Sequence, residues 1–394
     1  MHRVTLTIPF LAWALALGCS AAGTHDSTSS ALDPGAPTRA ANPGLCAPPT
    51  AFSYALCTCD DLAQVGALRV GSGGSGDGSV GVNGSSAVAD ASDVSGSWIA
   101  WKGWTGATGT RVGGSLRSGA DLRAAGALNV GEDLAVKTNL VGAGLLTVGG
   151  ALRVGGQDQF LGAVQLGQGR APFDEPTEPP CACDPQTLFY VDGAVKQAAT
   201  KNDNAALAIS ADAQLAVGSR RFTLDTGRYY FRNVTNIGAG VLTIRGNVAI
   251  YIDGSLDEIG AQAINLLPGA SLDLYVSGAV RLLGFTPIGD RHAPSAFRLF
   301  IGGGDRVSVG VGLQEFFGSI YAPTATIALA GVTVVWGSLF AREVTDAGVL
   351  TINHGGAIPT CTPPAAVPDG GVALPPSQTS PPPMPSIPAP VIIP

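Results

Sequence analysis

The stretch Leu116-Arg117-Ser118-Gly119-Ala120-Asp121-Leu122-Arg123-Ala124-Ala125-Gly126-Ala127-Leu128-Asn129-Val130-Gly131-Glu132-Asp133-Leu134 places a leucine at every sixth residue. The register runs on through Leu140, Leu146 and Leu152. A helix would repeat near 3.6 residues and a lone strand every 2, whereas a fixed hexad marks one corner recurring along a coiled parallel sheet. Apolar residues at Ala124, Val130, Val136, Val148 and Val154 follow the leucines by two positions. Two inward side chains per hexad are what a short strand and a turn provide, because alternate strand residues share a face. Three such sides make an eighteen-residue coil that stacks Trp98 over Leu116, Leu134 and Leu152.

Working outward from this stretch, a second repeat of apolar-aromatic-apolar triplets occupies the C-terminal half. It reads Tyr229-Tyr230-Phe231, Ile250-Tyr251-Ile252, Leu274-Tyr275-Val276, Leu299-Phe300-Ile301, Ile320-Tyr321-Ala322 and Leu339-Phe340-Ala341. The central rings are 21, 24, 25, 21 and 19 residues apart. One coil per interval predicts a ladder of rings on the outer face, about 4.8 Å apart. Between the repeats, Asp184-Pro185 resembles an N-cap followed by proline at the first helical position. The sequence therefore predicts a helix or two over 185–210, capping an otherwise exposed solenoid end.

The fold expected is all-β: two parallel β-helix segments with a short helical cap before the second. The divisions are a signal peptide (1–18), a lipidated tether (19–45), a first β-solenoid (46–170), a Pro-rich linker with cysteines (171–184), a second β-helix with its cap (185–358) and a Pro-rich tail (359–394). The tether and tail carry no packing pattern. Composition agrees with turn-rich β structure, with 55 glycines, 28 prolines and 13% charged residues in 394. A net charge of −7 with no basic cluster disfavours nucleic acid and anionic headgroups.

His2 and Arg3, an apolar run from Val4 to Leu17, and Leu15-Ala16-Leu17-Gly18-Cys19 resemble a bacterial lipoprotein signal. That resemblance implies acylation of Cys19, membrane attachment through the lipid, and an outer-membrane or cell-surface location, with periplasmic or secreted protein as the alternative. The apolar run is too short to span about 30 Å of hydrocarbon. Six further cysteines, Cys46, Cys57, Cys59, Cys181, Cys183 and Cys361, are disulfide candidates in an oxidising space. The two Cys-x-Cys-Asp segments open the two candidate domains, and pairing could staple those starts together or to neighbouring loops. Fifteen connectivities are open. A four-thiolate zinc site is the rival, although structural zinc usually uses Cys-x2-Cys.

Two wider resemblances follow from the repeats. The Gly-Leu/Val hexads look like the right-handed β-helix of bactofilins and other polymer-forming bacterial solenoids, although hexads also suit left-handed β-helices. The segment from Phe317-Gly318-Ser319-Ile320-Tyr321-Ala322-Pro323 through Val335-Trp336-Gly337-Ser338-Leu339-Phe340-Ala341 to Ile352-Asn353-His354 resembles a C-terminal β-helical domain of unknown function in bacterial envelope and pilus-associated proteins. That likeness covers 185–358. It implies a surface or structural role and supplies no catalytic residues.

The residues themselves offer little chemistry. His25, His292 and His354 lack metal partners at helical or turn spacing, and the familiar hydrolase and nucleotide motifs are missing. The best enzymatic reading is a glycan lyase or hydrolase using Asp253, Asp257, Glu258, Asp273, Asp290 or Asp305 in a groove. Asp beside glycine is, however, also a turn residue. Calcium bridging would need more than Asp77 in its Gly-Asp-Gly. Trp98, Trp101 and Trp104, with Tyr251, Tyr275 and Tyr321, are candidates for stacking on sugars. Trp98 and Trp104 also sit in the leucine register, where they read first as plugs of the core, and the ring ladder reads first as a sheet-stabilising stack. The sequence thus predicts a noncatalytic, cofactor-free, lipid-anchored scaffold or adhesin, monomeric, with cell-surface polysaccharide or envelope proteins as partners. A polysaccharide-binding module is the alternative.

Overall fold

A computed structural model describes residues 49–355, apart from 74–76, 175–177, 211–213, 216–220, 239, 261–262, 285–287, 305–306 and 310–312. The strands pair in parallel throughout and wind into a three-sided solenoid, so the all-β reading holds. The eighteen-residue coil appears as predicted: Trp98 pairs with Leu116, Leu116 with Leu134 and Leu134 with Leu152. The other two sides carry Leu122 on Leu140 and Leu128 on Leu146. All seven leucines of the hexad series are buried.

The two repeats form one stack. Strand Leu56–Thr58 pairs with Leu339–Ala341 on one flank and with Val80–Val82 on the other. On the second side Leu62 pairs with Val344, and on the third Leu68 pairs with Leu350. The first coil of the N-terminal repeat therefore rests on the last coil of the C-terminal repeat. Both keep the same order of sides and share one winding sense.

The outward column of the first side runs Tyr230, Tyr251, Tyr275, Phe300, Tyr321, Phe340, then Cys57, Gly81, Ile99, Arg117, Ala135, Arg153 and Ala171. Twelve steps of about 4.8 Å give a rod about 58 Å long. The chain enters at mid-height, builds outward to Ala171, returns along the first side, and builds back from the opposite end.

Polar residues at the corners explain why turns so short are stable. A side-chain oxygen accepts from the backbone N–H one coil later: Ser97 N donates to Ser79 Oγ (3.0 Å), Asn139 N to Asp121 Oδ1 (3.2 Å), Ala151 N to Asp133 Oδ1 (2.7 Å) and Gln157 N to Asn139 Oδ1 (3.0 Å). Each bond satisfies an amide that a tight corner would leave unpaired. Glycine is required where coils touch most closely. Gly126, Gly144 and Gly162 stack in register with positive φ, and a Cβ at Gly144 would lie 2.1 Å from the Gly126 carbonyl oxygen.

A helix forms within 185–210 as the sequence predicts, but Asp184 does not cap it. Helix α1 spans Val191–Ala198, not the residues after Asp184. Asp184 instead closes a turn, accepting from Gln186 N through Oδ1 (2.9 Å) and from Thr187 N through its carbonyl (2.9 Å). The short side chain bonds its local backbone, which competes with helix formation. Helix α1 also lies along the aromatic side of the rod, burying Val191, Ala194, Val195 and Ala198 at helical spacing. The capping role falls to the residues after it. The Asn204 amide donates to Tyr230 O (2.7 Å) and accepts from Tyr230 N (2.9 Å), replacing a neighbouring strand at the free edge of the first side.

At the junction of the repeats, Gln64 and Asp346 pair in register and are both buried. Gln64 Nε2 donates to Asp346 Oδ2 (2.5 Å) and to Gly348 O (3.1 Å). Burial pushes the Asp346 carboxyl up, opposed by the hydrogen bonds from Gln64 and the Gly348 and Ala347 amides. A raised folded-state pKa contributes stability below the unfolded value, and that contribution is lost as pH rises through the folded one. Asp346→Asn is therefore expected to raise the thermal midpoint at pH 7, on the order of 1–2 °C, with the gap closing toward pH 4. Thermal scans of both proteins at the two pH values check this; an Asn variant less stable at pH 7 would contradict it.

Candidate functional site

The disulfides fix where the returning chain meets the rod. Cys57 bonds Cys181 and Cys59 bonds Cys183, with Cα separations of 5.9 and 5.5 Å. Of the connectivities open in the sequence, this one joins the two Cys-x-Cys-Asp segments residue for residue. Cys57 and Cys59 are alternate residues, so both thiols leave the same side. The Asn83 amide holds the same segment, donating to Cys181 O (2.9 Å) and accepting from Cys181 N (2.8 Å). Gly81 permits the close approach, since a Cβ there would lie 3.1 Å from Cys181 Sγ and 3.2 Å from Pro180 Cβ. Cys19, Cys46 and Cys361 lie outside the described residues.

The aromatic ladder forms in the predicted register but is not open to solvent. Tyr251 and Tyr275 stack at 4.7 Å with 7° between planes, Tyr275 and Phe300 at 4.7 Å and 10°, and Tyr321 and Phe340 at 5.1 Å and 24°. Phe189 crosses them, 6.0 Å from Tyr275 and 5.7 Å from Phe300, and its backbone N–H donates to the Tyr321 hydroxyl (3.0 Å). Phe52 closes the other edge, 6.1 Å from Tyr321. Tyr251, Tyr275 and Tyr321 are at most 2% exposed and present no face to a sugar. Helix α1 and the segment before it cover what the triplets point outward. Burial accordingly pushes the Tyr251 phenol up to about 12, with Asp273 adding and Arg228 opposing.

Trp98 and Trp104 are likewise removed from the stacking candidates. They are 0% and 1% exposed and meet edge to face at 5.9 Å inside the rod. Their leucine register decided this, and Gly106 makes the room: a Cβ there would lie 2.2 Å from the Trp104 ring. Trp101 is different, being 36% exposed.

The carboxylates weighed for acid–base work are engaged separately. Asp273 pairs with Arg298 (2.5 Å) and Asp257 with Arg281 (3.3 Å). Asp253 accepts from the Tyr230 hydroxyl (3.0 Å), and Asp290 accepts from His292 N (2.9 Å) in a turn. Asp305 and the Glu258 side chain lie outside the described residues. Desolvation raises Asp273 against the lowering effect of Arg298. Asp77 closes its own turn onto Ser79 N (3.0 Å) and Ser79 Oγ (2.8 Å). His354 is buried with Nε2 3.3 Å from Phe52 O, and burial lowers its pKa. No group of three metal-ligating side chains gathers among the described residues.

One cavity stands out at the seam between the returning linker and the first side, with a volume of about 400 Å³. The rod contributes Trp101, Arg117 and Tyr54, and the linker contributes Phe173, Glu178 and Pro180. The sequence marked Trp101 but gave no sign that residues near 178, so far along the chain, would face it. Burial raises the Tyr54 phenol, Asp77 adds to this and Arg117 opposes it, so a neutral hydroxyl borders the cavity.

Tyr275→Ala is expected to cost about 3–5 kcal/mol, because it leaves a hole in the ring stack. Trp101→Ala should stay within about 0.5 kcal/mol as a surface change. Denaturant unfolding of the two variants separates them; equal losses would place Trp101 in the core.

Residues 178–360 match a family described as Domain of unknown function (DUF7305), which takes in the linker cysteines and the whole C-terminal repeat. No curated protein and no solved structure matches the chain.

Proposed function

We propose that this chain is an exported, noncatalytic β-solenoid scaffold of the bacterial envelope or cell surface, anchored by a lipid on Cys19. The observation that carries the reading is the continuous rod stapled at its middle by two adjacent disulfides. Such bonds persist in oxidising compartments, which agrees with the leader-like residues before Cys19. The rod spends its side chains on packing and pairing: rings are covered, carboxylates answer arginines or turn amides, and the corners are closed by hydrogen bonds. A surface built in this way suits bearing load or presenting attachments, in an adhesin or an envelope strut.

The test is expression of the full chain in a bacterium with labelled palmitate. Label should enter the protein, disappear in Cys19→Ser, and mark a membrane fraction whose Cys57–Cys181 and Cys59–Cys183 bonds survive non-reducing peptide mapping. Unlabelled protein with its leader intact would refute the anchor, and free thiols at the four positions would refute the compartment.

A further inference from the structure

We infer that the Asp158–Arg170 ion pair closes the outer end of the N-terminal repeat against a second copy of this chain, so that the rod stops there as a finite unit. The sequence carries the first sign. The leucine register of Leu140, Leu146 and Leu152 continues at the same six-residue spacing with Asp158, Val164 and Arg170. In the fold these positions extend the inward rows: Leu140 pairs with Asp158, Leu146 with Val164 and Leu152 with Arg170. Two of the three core rows thus finish on a charge.

The same rows have an opposite end, and the contrast between the ends carries the inference. At the joined end they begin with Leu56, Leu62 and Leu68, which rest on Leu339, Val344 and Leu350. At the free end Arg170 lies one coil above Leu152 and reaches from the first side to Asp158 on the second, with Nη2 2.7 Å and Nε 3.3 Å from Oδ2. Arg298 and Asp273 also pair, but from outward positions between the buried Phe297 and Leu299 and the buried Leu272 and Leu274. The pair at the tip stands where the core would otherwise continue.

Such a stop answers a hazard built into the coil. Strand Asp158–Leu166 pairs with Leu140–Val148 along one edge, and among the described residues no strand pairs with its other edge. Its nine residues include no proline and no lysine, and Phe160, Val164 and Leu166 are only partly buried. An open edge of this kind templates pairing with another chain, and inward-pointing charges are one means of preventing it. A second copy seated on this end would strip water from the ion pair, a loss that the attraction between the charges does not repay without further hydrogen bonds. The rod's other end is closed by different groups. There Asn204 engages both backbone groups of Tyr230, while Asp203 accepts from Arg228 N (2.8 Å) and donates its own N–H to Arg228 O (2.7 Å). Both free ends are therefore polar in these positions, whereas the joined end leads with leucines.

Removing the two charges should expose an end able to take a second copy. Two like ends meet about a twofold axis, which closes as a dimer, and the end sealed by Asn204 offers no route to a filament. The experiment uses the full chain with disulfides intact, comparing variants by sedimentation velocity and by hydrogen exchange of the amides of residues 158–166. Wild type and the charge reversal Asp158→Arg with Arg170→Asp should keep those amides open and show no association through them. Asp158→Leu with Arg170→Leu should dimerise about tenfold or more tightly, with the same amides becoming protected. Asp158→Ala with Arg170→Ala repeats the test without the added leucine bulk. A folded uncharged variant that stays monomeric overturns the proposal, as does a dimer whose 158–166 amides stay open, or wild type joining through this end with its charges in place. Failure of both uncharged variants to fold overturns it too, since the pair would then be holding the coil together and not limiting the rod.

Discussion

Everything in this fold depends on the parallel pairing of Leu56–Thr58 with Leu339–Ala341. A solenoid coil cannot bury its own apolar side chains; it needs a coil above and a coil below. Each repeat alone would expose a broad apolar end at the junction. Joined there, Leu56 rests on Leu339, Leu62 on Val344 and Val70 on Ile352, so an aliphatic pair crosses the junction on each of the three sides. The two disulfides close this same level of the rod from outside, tying the chain that links the repeats to the coil where they meet.

The interior of the rod was legible because it is periodic. Leucines every six residues, and Trp98 in their register, specify which side chains stack, and the pairing of Trp98 with Leu116 follows directly. The ring triplets were legible for the same reason, although their coils vary in length. A recurring triplet marks one side even when loops between coils grow or shrink. The sequence could not show what lies over those rings. Phe189 and helix α1 are remote in sequence from Tyr321 and carry no matching period, so covering of the ladder is a purely tertiary fact. Of the two readings open to the rings, sugar platform or sheet-stabilising stack, their covering leaves the second.

The candidate cavity illustrates the same limit. Trp101 stood out by type, but its partners Phe173 and Glu178 come from the linker, whose path is set by where its cysteines find theirs. Spacing of Cys57-Thr58-Cys59 against Cys181-Ala182-Cys183 permitted a residue-for-residue match without requiring it. The junction of the repeats was equally hidden. Nothing local in Leu56-Cys57-Thr58 names Leu339-Phe340-Ala341 as its neighbour, because any aliphatic residue of either repeat could serve on sterics alone.

The order in which the chain builds the rod has a mechanical consequence. Phe52 and His354 touch at mid-height, through a ring nitrogen 3.3 Å from a carbonyl oxygen, so the polypeptide both enters and leaves at the waist. A pull on the segments flanking positions 49 and 355 therefore reaches neither tip. It acts at the fulcrum of a balanced beam, where the stapled coil takes the strain and the two arms, one of hexads and one of rings, extend to opposite sides unburdened.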